Sequence, residues 1–149
     1  MAIWIALSLS LTLGLVSHFV FDHSNSLPGE LLRYVMLVSN GAILVITSGS
    51  HLFRPELMAR ELGWPPGGPF QKVVGFWNLG VGSAAIMSFW RGGDFLLAVA
   101  FTTVVFWAGA AMLHWQAGLG GAKERLLTAV GETALVITLL ILLTCSFFN

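Results

Sequence analysis

DFLLAVAFTTVVFWAGAAMLHWQ, residues 94–116, decides the fold. Between Asp94 and His114 there is no charged side chain. An apolar run of that length matches the roughly 17–25 residues that a helix needs to cross about 30 Å of hydrocarbon. Working outward, four more runs have the same character: residues 2–21, 31–52, 70–90 and 124–147. The sequence therefore predicts an all-α, polytopic bundle of five spans, a four-helix core plus one further helix, forming a single transmembrane domain over residues 1–149. Composition agrees, since 56% of residues are hydrophobic and only 9% are charged, against roughly 25% charged in a soluble domain.

The separators carry the charges and the helix breakers: DHSNSLPGE (22–30), FRPELMARELGWPPGGP (53–69), RGGD (91–94) and QAGLGGAKER (116–125). Within the longest of them, Leu57, Met58 and Leu62 stand at helical spacing among charges, the pattern of a short helix on the membrane surface over residues 55–62. The GWPPGG that follows must end it. No Lys or Arg precedes the first apolar run, so it reads as a membrane helix and not a cleaved leader. Lys and Arg accumulate in cytoplasmic loops. Arg54, Arg60, Lys72, Lys123 and Arg125 fall on one face and Arg33 and Arg91 on the other. That asymmetry predicts a cytoplasmic N-terminus and a periplasmic C-terminus. Trp64, Trp90 and Trp115 fall at helix ends, where indole anchors a span at the headgroups.

The dispersed Lys and Arg, with a net charge of zero, exclude a nucleic-acid binder. The single cysteine, Cys145, permits no internal disulfide and no CxxC pair. No HExxH, GxSxG, Walker or dinucleotide fingerprint is present, so the residues name no catalytic group and no metal-ligand set.

Polar side chains inside a membrane are costly and usually face the bundle interior. Gln71, Gly75, Asn78 and Gly82 follow i, i+4, i+7, i+11, one narrow face of the third span. The second span repeats the spacing with Asn40, Leu44, Thr47 and His51, and the fourth with Thr103, Trp107, Ala110 and His114. Alternating direction places His51, Gln71 and His114 near one membrane boundary. Glu132 enters from that boundary to a depth of about 12 Å, level with Asn78. These five residues are the candidate ligand or proton pathway, a polar funnel facing the cytoplasm. Glu132 needs a partner or a proton at that depth, so it is expected to reach a polar group on the second, third or fourth span, Asn78 and Thr47 foremost, or to line a cavity open to the cytoplasm. His51 and His114 are also weak candidates to ligate a haem between helices, and His18 with His23 forms a second possible pair at the opposite face. Each residue also has a plain reading. Gly75, Gly82 and Gly109 serve close helix packing, Gln71 and Asn78 serve interhelical hydrogen bonds, and the histidines are interfacial groups.

The stretch GSHLFRPELMARELGWPPGGPFQKVVGFWNLGVG (49–82), continued by FWRGGDFLLAVA and GAAMLH, resembles an uncharacterised family of small bacterial membrane proteins. The shared pattern falls on His51, Gly63–Trp64, Pro69–Gln71, Gly75, Asn78, Gly92–Gly93 and Gly109–His114. The family pattern carries a Glu two residues after the Gln, where this chain has Val73, so a carboxylate at that place would have to come from Glu132. The resemblance implies a bacterial inner-membrane bundle and no assigned activity. More distantly the GWP turn is similar to DoxX-like membrane proteins, some tied to quinone-linked oxidation, which implies a quinone or lipid ligand.

Three functions fit these features. The leading one is a non-enzymatic subunit, self-assembling or accessory to a larger complex, whose helices bind other helices, lipid or a hydrophobic cofactor. The second is a small transporter or channel using the funnel. The third is a redox protein holding haem or quinone. All share membrane lipid as a partner.

Overall fold

A computed structural model describes residues 2–21, 26–61, 65 and 69–148. Helix α1 runs Ala2–Val16 and continues as a π-helical turn Ser17–Phe21. Helix α2 spans Leu27–Phe53, with a π-helical stretch Val35–Ala42 in its middle. The short α3 (Pro55–Glu61) precedes α4 (Phe70–Arg91), α5 (Gly93–Leu119) and α6 (Glu124–Phe147). Among the described residues there is no strand, and five helices are long and apolar enough to cross a membrane. The observed spans extend the expected ones by a few residues at most. At 1.5 Å per residue, the 27 residues of α2 or α5 measure about 40 Å, more than the hydrocarbon requires. The turn after α3 lies largely outside the described residues, and so do Trp64 and His23.

Local chemistry sets the element ends. Ser26 caps α2 by accepting from the Gly29 amide at 3.4 Å, with Pro28 in the first turn where its missing N–H costs nothing. Between α4 and α5 the chain reverses through Gly92 and Gly93, whose φ values of 59° and 51° are left-handed. At Gly92 the positive φ itself calls for glycine, and the Arg33 guanidinium lies 2.7 Å from where a Cβ would stand. Arg33 donates from Nη1 to the Phe89 carbonyl at 3.3 Å and ties α2 to that corner.

The helices are sorted by what they cover. Helix α5 packs along α6, α2 along α4, and α1 against the first half of α2. Leu32, Met36, Leu44, Trp107, Leu135 and Leu139 meet in the common core. The outward faces are as apolar as the inside: Ile46, Phe101, Val105 and Ile141 are each more than half exposed. Such a surface suits lipid and not water.

The π-helical stretch of α2 is paired internally. A widened turn leaves a carbonyl in search of a donor, and the Asn40 side chain donates to the Val35 carbonyl at 3.1 Å. Asn40 Oδ1 accepts from Trp107 Nε1 at 2.7 Å, fully buried, which fixes α5 against α2. Ser10 and Ser39 join their hydroxyls at 3.0 Å and do the same for α1.

Candidate functional site

Chain direction determines which polar groups meet. Helices α1, α4 and α6 begin at the end of the bundle where α2 and α5 finish. His51, two residues before the end of α2, therefore lies beside Gln71, the second residue of α4. His51 Nδ1 and Gln71 Oε1 are 2.7 Å apart. The amide oxygen only accepts, so Nδ1 donates in this contact.

The same logic joins α5 to α6. His114 Nδ1 lies 2.7 Å from Glu132 Oε2, with 4% of the Glu132 side chain exposed and 17% of the His114 side chain. The carboxylate's partner is thus the imidazole of α5, and not Asn78 or Thr47. Rotation of α6 about its axis turns Glu132 toward the helix it packs along most closely. Asn78 and Thr47 instead pair with each other. Thr47 donates its hydroxyl hydrogen to the Ile43 carbonyl at 2.9 Å and accepts from Asn78 Nδ2 at 3.5 Å. Asn78 is 3% exposed, and its Oδ1 is buried without a hydrogen-bond partner.

These groups surround one cavity of about 540 Å3 in the half of the bundle nearest those helix ends. His51, Asn78, His114 and Glu132 line it together with Thr47, while Gln71 stands behind His51. Most of the wall is apolar, supplied by side chains such as Ile3, Leu44, Val74 and Phe106. Glu132 and Asn78 each lie eight residues into their helices, about 12 Å from the start. A mostly apolar cavity with a few polar groups in fixed places is the usual form of a small-molecule site.

The buried face of α4 contains Gln71, Gly75, Asn78 and Gly82. Gly75 and Gly82 touch α2: a Cβ would stand 2.8 Å from Leu52 Cγ at the first and 3.0 Å from the Val45 backbone nitrogen at the second. Gly109, expected as a packing glycine, is not one. A Cβ there would meet nothing within 4 Å, because the residue faces the cavity. Trp90 is largely exposed near the end of α4, whereas Trp115 donates to Thr133 Oγ1 at 3.1 Å and leans on α6. His18 ends α1 away from the cavity. Reading stripes singly misses Trp107 as a cavity wall and the donor to Asn40, although its place on the Thr103–His114 stripe was the available signal.

Fold and cavity together define a multi-pass helical membrane protein with paired histidines inside the bundle. The chain belongs to a family described as a family of unknown function (DUF6790), whose model matches residues 1–146. No curated protein and no solved structure matches it.

Proposed function

We propose that this chain is a non-enzymatic membrane subunit that binds a small amphipathic molecule inside its bundle. The observation that carries the reading is the cavity of about 540 Å3, apolar along most of its wall, with Thr47, His51, Asn78, His114 and Glu132 in its polar lining. Apolar walls with a few polar groups suit a molecule with an apolar body and a polar head. The apolar outer faces favour lipid, a second copy or a larger complex around the bundle. A cytoplasmic N-terminus accords with the distribution of Lys and Arg, and a bacterial inner membrane is what the sequence resemblance implies. Single cysteines at Ser26 and Gly120, in a Cys145→Ser background, should then label from the periplasm and the cytoplasm respectively. Labelling of both from one side would refute the five-span topology.

Gly109→Phe tests the chamber. Open space lies where the new side chain begins, so the variant should fold and fill the cavity. Native mass spectrometry of protein extracted in mild detergent should find a small molecule retained by the wild type and lost from the variant. Equal retention, or none in either, would count against the cavity as a binding site.

A second reading, a small transporter, is favoured by the His114–Glu132 pair, because a titratable pair on the wall of a chamber can couple ligand and proton. A redox role with haem or quinone would use the same two imidazoles. An absorption spectrum of the purified protein separates it from the others.

A further inference from the structure

The cavity wall is not equally closed on all sides. Its lining from α1, α2 and α6, such as Ile3, Leu44 and Glu132, is buried or half-buried. Exposed lining comes from two neighbouring helices alone: Phe70 on α4, 58% exposed, and Val105 and Leu113 on α5, 59% and 44% exposed. A side chain that borders a cavity and the outside at once stands on the rim of an opening. The opening therefore lies between α4 and α5.

Chain geometry explains the gap. Helices α4 and α5 are antiparallel and joined at Gly92, so residues equally far from that corner stand level: Asn78 with Phe106, Val74 with Ala110, and Phe70 with His114. All six line the cavity. The two helices meet toward their corner and stand apart from the bundle end to near the middle of α5. They touch far less than α5 and α6 or α2 and α4 do. On α5, Val105, Gly109 and Leu113 recur at i, i+4 and i+8, one edge of the helix. Gly109, with open space where a Cβ would stand, is a notch in that edge.

The exposed rim residues are all apolar, and at this height a spanning helix is surrounded by lipid chains and not by water. The polar groups of the wall do not require a polar body beside them, since His51 bonds with Gln71, Asn78 with Thr47 and His114 with Glu132. We infer that the cavity opens sideways into the bilayer between α4 and α5, and that its occupant is the acyl chain of a membrane lipid, which enters through this cleft past Gly109. The lipid head stays at the bundle end, where α4 begins. The inference rests on the cavity being a binding site, and its test separates the two claims.

The wild-type protein is placed in nanodiscs containing a phosphatidylethanolamine with a photoreactive diazirine at the end of one acyl chain. After illumination and digestion, mass spectrometry locates the adducts. Ile46, Phe101 and Ile141 on the outer faces should be labelled in any case. The inference expects adducts also on Thr47 and Thr128, which line the cavity from α2 and α6. Gly109→Phe and, from the outer side of the same edge, Val105→Trp should lower the cavity adducts severalfold and leave the outer ones unchanged. The wild-type map decides by itself if both variants fail to fold. A parallel sample receives photoleucine in the buffer, a probe that arrives from water. Cavity adducts from photoleucine but none from the lipid overturn the inference and leave the cavity as a binding site. Phe70 and Val105 protected from the lipid probe, without cavity adducts, would mean that another helix covers the cleft, and that also overturns it. Cavity adducts unchanged in both variants overturn the route past Gly109. No cavity adduct from either probe overturns the binding site as well.

Discussion

Gly82→Leu should destabilise the bundle by about 3 kcal/mol, because the new side chain has nowhere to go without moving backbone. Even its first carbon would stand 3.0 Å from Leu44 Cβ, from Val45 Cγ2 and from the Val45 backbone nitrogen. The last of these cannot rotate aside. Helix α4 cannot retreat either without opening its contact at Gly75, where Leu52 lies equally close. Gly80→Leu is the matched control on the same helix. It faces outward with nothing within 4 Å of a built Cβ, so it should leave stability within about 0.5 kcal/mol of wild type. Unfolding by titration with a denaturing detergent, followed by circular dichroism, reads both. Similar midpoints for the two variants would mean that α4 does not rest on α2 through Gly82.

Glu132→Leu should cost a comparable amount, about 3 kcal/mol, for an electrostatic reason. The substitution removes the acceptor 2.7 Å from His114 Nδ1 and leaves a mostly buried ring nitrogen against hydrocarbon. Glu132→Gln keeps an oxygen that accepts from Nδ1–H and should cost about 1 kcal/mol. The pair is isolated by the double change Glu132→Leu with His114→Phe. Removing both polar partners leaves no orphan, so the double variant should be more stable than the sum of the single effects predicts. Additive losses, measured by the same detergent titration, would show that the two side chains do not depend on each other.

The spans were legible because crossing hydrocarbon imposes a requirement on consecutive residues. Every backbone group must be bonded within the segment, so a run such as 94–116 has helix as its available form before any neighbour is known. The surface helix over Pro55–Glu61 was legible for a related reason, its apolar residues recurring at helical spacing between charges. The burial of Gln71, Gly75, Asn78 and Gly82 on one face of α4 follows from the angular spacing of residues on a helix.

Pairing followed different rules. Chain direction brings His51, Gln71, His114 and Glu132 to one end, and that much is contained in the order of the spans. Whether Glu132 meets Asn78 on α4 or His114 on α5 depends on how far α6 is rotated about its own axis, which packing against α5 decides. The π-helical turns at Val35–Ala42 belong to the same class, since Asn40 reaches Trp107 across the bundle and not along the chain. Gly109 shows the limit most clearly. In sequence it has the same small-residue character as Gly75 and Gly82, yet those two touch α2 while Gly109 faces a chamber. Sequence alone determined the spans, their number and the polar faces of α2, α4 and α5. The tertiary structure decided which faces meet and where space is left, because contact between helices depends on their rotation and lateral order, and no short stretch of residues encodes either.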